Sequence, residues 1–167
     1  QSVTLKPQSF NLDVDGDGSV TALGDGIMIL KKLFTDAFPG DTLTSNAINE
    51  SATRTTDEIH EFIQSGVDEK VLVKESKINF TSTSPAQNYD FLSQSVNLNT
   101  QSFNLDVDGD GSVTALGDGL MVIRKLFGTA FAGDALTSKA ISNNATRTTD
   151  EIHEYIAAMI DVSSAAT

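Results

Sequence analysis

Cysteine is absent from this sequence, which excludes disulfides and thiolate metal sites and leaves any stapling of small units to another agent, such as a metal ion. Positive charge is scarce. Lys and Arg number 11 against 23 Asp and Glu, giving a net charge of -12 and a pI near 4.3. Nucleic acid and anionic membrane surfaces repel such a chain, and cations are its natural partners. No apolar run approaches the roughly 20 residues needed to cross a bilayer, so no membrane insertion is expected. Gln1 opens no signal peptide pattern, and the chain reads as an excised, mature fragment. No Ser/His/Asp arrangement or nucleophile motif is visible, so catalysis is not expected. Hydrophobic residues make up 39% of the 167 positions, enough for real but modest cores in one ordinary domain or two small ones.

Against these absences stands one dense motif. Residues 13–25 read DVDGDGSVTALGD and return letter for letter as residues 106–118. Each copy has Asp at its first, third, fifth and thirteenth positions: Asp13, Asp15, Asp17 and Asp25, then Asp106, Asp108, Asp110 and Asp118. Side chains at alternate positions of a tight loop converge on one hard cation, Gly at position six permits the sharp turn, and a distal carboxylate closes the shell. Ser19 and Ser112 fall at position seven, where such loops use a backbone carbonyl. Asp and Gly also suit ordinary turns, but four carboxylates within thirteen residues repel one another unless neutralised. Calcium is favoured over magnesium, which resists dehydration and demands a tighter octahedron. One calcium per copy, two per chain, would carry the net charge from -12 to about -8.

The loop departs from a standard EF-hand at its end. Gly24 occupies position twelve and the closing Asp25 comes one residue late, as though one residue had been inserted. A register beginning at Asn11 leaves Ala22 at position twelve, and alanine cannot close the shell. Val20, at position eight, is placed for a short extended pairing with a neighbouring loop, and Thr21 for a water-mediated contact.

The duplication extends beyond the loops. Residues 1–68 align with 94–161 at a constant offset of 93, without a gap, which defines two repeats, a linker at 69–93 and a tail at 162–167 expected to be frayed. Alternating Val71 and Val73, then Ile78 and Phe80, give the linker a partly extended reading. Val3 and Leu5 alternate with polar residues before Pro7, so no helix enters the loop. After it, Ile27, Leu30, Leu33, Phe34 and Phe38 recur at three and four, predicting a helix from near Asp25 that ends at the PGD beginning with Pro39. Leu120, Ile123, Leu126, Phe127 and Phe131 repeat the stripe before AGD at Ala132. TRTTDEIHEFI announces a second helix, with Thr55 and Glu58 spaced as a capping box and Asp57 adding favourable charge. Thr148, Asp150 and Glu151 repeat it, and Ile59, Phe62 and Ile63, like Ile152, Tyr155 and Ile156, would face the first helix. His60 and His153 read as solvent-facing helix residues rather than metal ligands. The expected fold is mainly α: two tandem EF-hand-like modules, each a calcium loop followed by two helices, joined by the linker. A core of about a dozen apolar side chains per module is marginal unless the ion contributes.

DVDGDGSVTALGDGIMILKK resembles the dockerin type I repeat, whose EF-hand-like loop lacks an entering helix and precedes a helix carrying basic residues. The resemblance implies a role for Ala22 and Leu23, at loop positions where dockerins place a pair that helps recognise cohesin partners. Lys31 and Lys32, or Arg124 and Lys125, resemble the basic residues further along. The two loops lie 93 positions apart, whereas dockerins hold both in one small domain. The expectation is a calcium-stabilised structural repeat of a larger secreted or cell-surface protein, microbial in origin. The alternative is a dockerin-like module that docks a cohesin-like protein or neighbouring domains of its parent in a calcium-dependent way. An extracellular setting follows from abundant Ser, Thr, Asn and Asp, absent Cys, and a loop type loaded by extracellular calcium. One acidic loop per repeat and only 3 Met count against a sensor that opens an apolar groove. Asn49, Asn79 and Asn144 begin NxS/T triplets of the kind expected by chance in a Ser/Thr-rich chain.

Overall fold

A computed structural model describes residues 10–68 and 103–164. The expected extended lead-in at Val3 and Leu5 and the linker at 69–93 lie outside the described residues. The fold is mainly helical, with no strand among the described residues. Helix α1 spans Ile27–Leu33, α2 Thr56–Asp68, α3 Leu120–Leu126 and α4 Thr149–Ser164. Each acidic loop is followed by two helices, as the repeat pattern predicts.

The inserted loop residue is absorbed locally. Ala22–Gly26 and Ala115–Gly119 form single π-helical turns leading directly into α1 and α3. The Thr21 hydroxyl caps the first by accepting the Gly24 N–H at 3.1 Å. Gly26 N–H donates to the Thr21 carbonyl at 3.0 Å, a five-residue step. Widening one turn by a residue moves every later side chain around the helix axis. The buried residues of α1 are consequently Met28 and Ile29, while Ile27, Leu30 and Leu33 are half-buried and Phe34 is exposed. This corrects the predicted stripe of Ile27, Leu30, Leu33, Phe34 and Phe38. In the second-repeat stripe Ile123 is buried as predicted, but Met121 and Val122 are buried as well and Phe127 is exposed.

Helix α1 ends at Leu33, well before Pro39, because Thr35 turns left-handed with φ of 55°. Gly128 does the same after α3 with φ of 68°. Short 3₁₀ turns at Thr35–Ala37 and Gly40–Thr42 then carry the chain back. The Lys31 ammonium gathers the carbonyls of Thr42, Leu43 and Ser45 at 2.9–3.2 Å, and Arg124 takes those of Leu136 and Ser138. The capping box forms as predicted: Thr55 N–H donates to Glu58 at 2.8 Å, and Glu58 N–H returns to the Thr55 hydroxyl at 3.3 Å. His60 is half-buried and has partners on the protein. Its Nε2 lies 2.9 Å from the Gly40 carbonyl and its Nδ1 3.4 Å from Lys32 Nζ, so with Nε2 protonated it straps α2 to α1 and to the turn between them. His153 bonds Gly133 and Lys125 in the same way.

The two halves share one core. Leu12, Val14, Met28, Ile29, Leu43, Ile59 and Ile63 join Leu105, Val107, Met121, Val122, Leu136, Ile152, Ile156 and Met159 in a continuous buried cluster. Pooling the repeats raises the fraction of surface each buries, which relieves the marginal core of a single repeat. Leu30 and Leu33 turn toward the second repeat, where their methyls meet Gly119, and Ile123 and Leu126 meet Gly26. Helix α4 continues past Asp161, and Val162 packs on the core, so the helix persists into the stretch expected to fray.

Candidate metal centre

The loop backbone is folded by its own carboxylates. Asn11 Oδ1 accepts the Asp13 N–H at 3.0 Å, Asp15 Oδ1 that of Asp17 at 3.1 Å, and Asp17 Oδ1 that of Ser19 at 2.7 Å. Asp13 Oδ2 accepts Gly18 N–H at 3.1 Å. Gly16 and Gly18 have φ of 73° and 90°, the left-handed region that side chains resist. At Gly16 a Cβ would also collide with the Thr53 hydroxyl.

The carboxylates that make those bonds also converge on one another. One carboxylate oxygen from each of Asp13, Asp15 and Asp17 lies within 4.8 Å of the others, as do those of Asp106, Asp108 and Asp118 in the second loop. Asp13 is only 8% exposed and its Oδ1 is buried with no hydrogen-bond partner. An ionised oxygen left so costs several kcal/mol, roughly, unless a cation meets it. Burial, and secondarily the charges of Asp15 and Asp17, raise the Asp13 carboxyl above its ordinary range. In the second loop Asp106 Oδ1 accepts Gly109 and Asp110 N–H groups at 2.8 and 3.1 Å. The donors are all oxygens, and mutual distances within 4.8 Å let three of them share one shell of a hard cation. Both clusters can hold a metal ion.

Asp25 is buried beside this centre. Its Oδ1 accepts Val14 N–H at 2.8 Å and its Oδ2 Thr21 N–H at 2.9 Å, so the late carboxylate draws both sides of the loop together. Asp118 holds Val107 and Thr114 at 2.9 and 2.8 Å. Burial pushes both carboxyls up to about 6, against the lowering effect of these N–H groups. Asp17 and Asp110 are half-buried, and Ser19 and Ser112 sit on the exposed rim with their N–H groups on those aspartates. Val20 and Val113 are half-buried against the core and form no extended pairing.

A clasp from outside the loop completes the site. Thr53 and Arg54 N–H groups both donate to the Asp15 carbonyl at 3.0 Å, the Thr53 hydroxyl donates to Gly16, and Asn49 N–H to Asp15 Oδ2 at 3.0 Å. Arg54 Nη1 reaches the Asp13 and Val14 carbonyls at 2.7 and 3.1 Å. Thr146, Arg147 and Ser142 repeat the clasp on the second loop. Reading TRT only as the approach to a helix missed this role. The available signal was an arginine kept directly before both capping boxes in a chain with few cations.

Comparison with protein-family models, curated proteins and solved structures finds no match to this chain.

Proposed function

We propose that this chain is a non-enzymatic, calcium-stabilised structural repeat of a larger secreted or cell-surface microbial protein. Each loop holds one calcium through Asp13, Asp15, Asp17 and Asp25, or Asp106, Asp108, Asp110 and Asp118, with Ser19 and Ser112 supplying backbone oxygen. The observation that carries this reading is the buried, unpartnered Oδ1 of Asp13, a carboxylate clustered with those of Asp15 and Asp17. Calcium is favoured over magnesium because magnesium gives up its waters reluctantly and demands a near-ideal octahedron. Because the ion would bind the folded loops and not the open chain, its binding energy adds to stability. Calorimetric titration should find two calcium ions per chain, and chelator should lower the melting temperature and alter the near-UV spectrum. An unchanged melt in chelator would rule out the structural role.

A dockerin-like docking module is the second reading. Leu23 and Leu116 favour it, since they stand 63% and 67% exposed beside the two centres. Ala22 is buried and Lys31 is spent on internal carbonyls, which weighs the balance toward the structural role. Capture of a surface protein of the parent organism with calcium but not with chelator, lost in Leu23→Asp/Leu116→Asp, would favour docking.

A further inference from the structure

Each metal loop is anchored at both ends by the other repeat. The residue immediately before the first aspartate of loop one is Leu12, whose N–H donates to the Met159 carbonyl of α4 at 3.4 Å. Its counterpart Leu105, immediately before Asp106, donates to the Gly66 carbonyl of α2 at 2.8 Å. At the far end, Gly26 follows the closing Asp25. A Cβ placed there would lie 3.1 Å from Leu126 and 3.2 Å from Ile123 of α3. Gly119, after Asp118, meets Leu33 and Leu30 of α1 at 3.0 and 3.1 Å.

Helix α2 therefore touches both centres. Just before its first residue Thr53 and Arg54 hold the Asp15, Asp13 and Val14 carbonyls of loop one, and near its C-terminal end Gly66 holds the entry to loop two. Helix α4 does the reverse through Arg147 and Met159. A rigid element that contacts both sites and has one arrangement compatible with closed loops transmits the ordering of one to the other.

We propose that the two centres are coupled, so that calcium in either loop raises the affinity of the other. This rests on the calcium reading above. If one loop orders the α2 and α4 carbonyls and the apolar seats at Gly26 and Gly119, the second ion meets a loop whose ends are already fixed and has less ordering left to supply.

The test is calorimetric titration of the full chain with calcium. Asp106→Asn/Asp108→Asn should bind one ion in loop one with a dissociation constant raised about tenfold over the wild-type value, within the usual range for coupled sites. An unchanged constant overturns the coupling. Should that variant fail to fold, Leu126→Ala and Leu33→Ala touch no ligand and loosen only the seats. They should keep two bound ions while the wild-type cooperativity falls, and full cooperativity in both would overturn the proposal. Wild-type binding as two independent, equal sites would overturn it as well. Absence of any bound calcium in the wild type would instead strike the underlying metal reading, so the two failures are distinguishable.

Discussion

Arg54 donates to the Asp13 carbonyl at 2.7 Å while its guanidinium carbon lies 3.9 Å from the centre of the Phe62 ring. One side chain thus ties the first residue of an acidic loop to the face of α2. Arg147 stands in the same relation to Asp106 and Tyr155, at 2.7 and 4.0 Å.

Replacing Arg54 with Met removes charged hydrogen bonds to two carbonyls and should cost about 1.5–3 kcal/mol of stability. Lysine should recover only the carbonyl bonds, since an ammonium cannot lay a planar guanidinium over the Phe62 ring. Urea unfolding in saturating calcium gives the comparison, and a Lys variant equal to wild type would deny the guanidinium its special part.

Asp25 and Asp17 should separate two kinds of loss. Asp25→Ala strands the buried Val14 N–H and frees the part-buried Thr21 N–H, costing about 1–3 kcal/mol for the buried group even in chelator, and should also weaken calcium binding at least tenfold. Asp17→Ala, half-buried with its bond to Ser19 at the exposed rim, should weaken calcium binding while leaving the chelator melt nearly unchanged. Equal chelator melts for the two variants would show that Asp25 does not organise the metal-free loop.

Acidity should act oppositely on the loaded and metal-free chains. With Asp25 and Asp118 raised from 3.8 to about 6 by burial, the native state holds more protons than the unfolded one across that window. Stability of the metal-free chain is then greatest at its lower edge and declines as pH rises through about 6. Glu58 and Glu151, held below the ordinary carboxylate range by Thr55 and Thr148, lose their contribution only at more acidic pH. Metal binding needs the carboxylates ionised, so affinity should fall as pH drops through the same window. Melting in chelator should be higher near pH 5 than near pH 7, and calcium affinity lower, with about pH 6 as the midpoint.

Thr35 is a β-branched residue at φ of 55°, where the second repeat has Gly128 at 68°. Thr35→Gly should raise stability by about 1 kcal/mol, the cost of a left-handed backbone at a residue with a Cβ. Thermal melts of the single variant suffice, and a lowered melting temperature would mean that the Thr35 side chain contributes more than its strain costs.

What could be read from the sequence was local. The acidic loops and the Thr55 and Glu58 capping box depend on residues within a few positions of each other, and the offset of 93 needs only the chain laid against itself. The phase of α1 was misread because a widened turn at Ala22–Gly26 rotates Met28 and Ile29 inward, and nothing in the periodicity of Ile27, Leu30 and Leu33 announces that turn. The same leucines looked like the inner stripe of one module, yet they meet Gly119 of the other. Spacing along one helix says which residues share a face and not what that face meets. Arg54 was passed over for the same reason, since its partners lie 40 and 41 positions upstream.

The glycine seats at Gly26 and Gly119 bear on how this chain reaches its folded form. Two separate copies of the repeat would have to find each other by diffusion, and their assembly would vanish on dilution. Joined in one polypeptide, the same docking becomes a first-order event whose rate is set by the length of chain between the partners rather than by protein concentration. Cutting that chain once, between the repeats, would turn its folding into a second-order reaction.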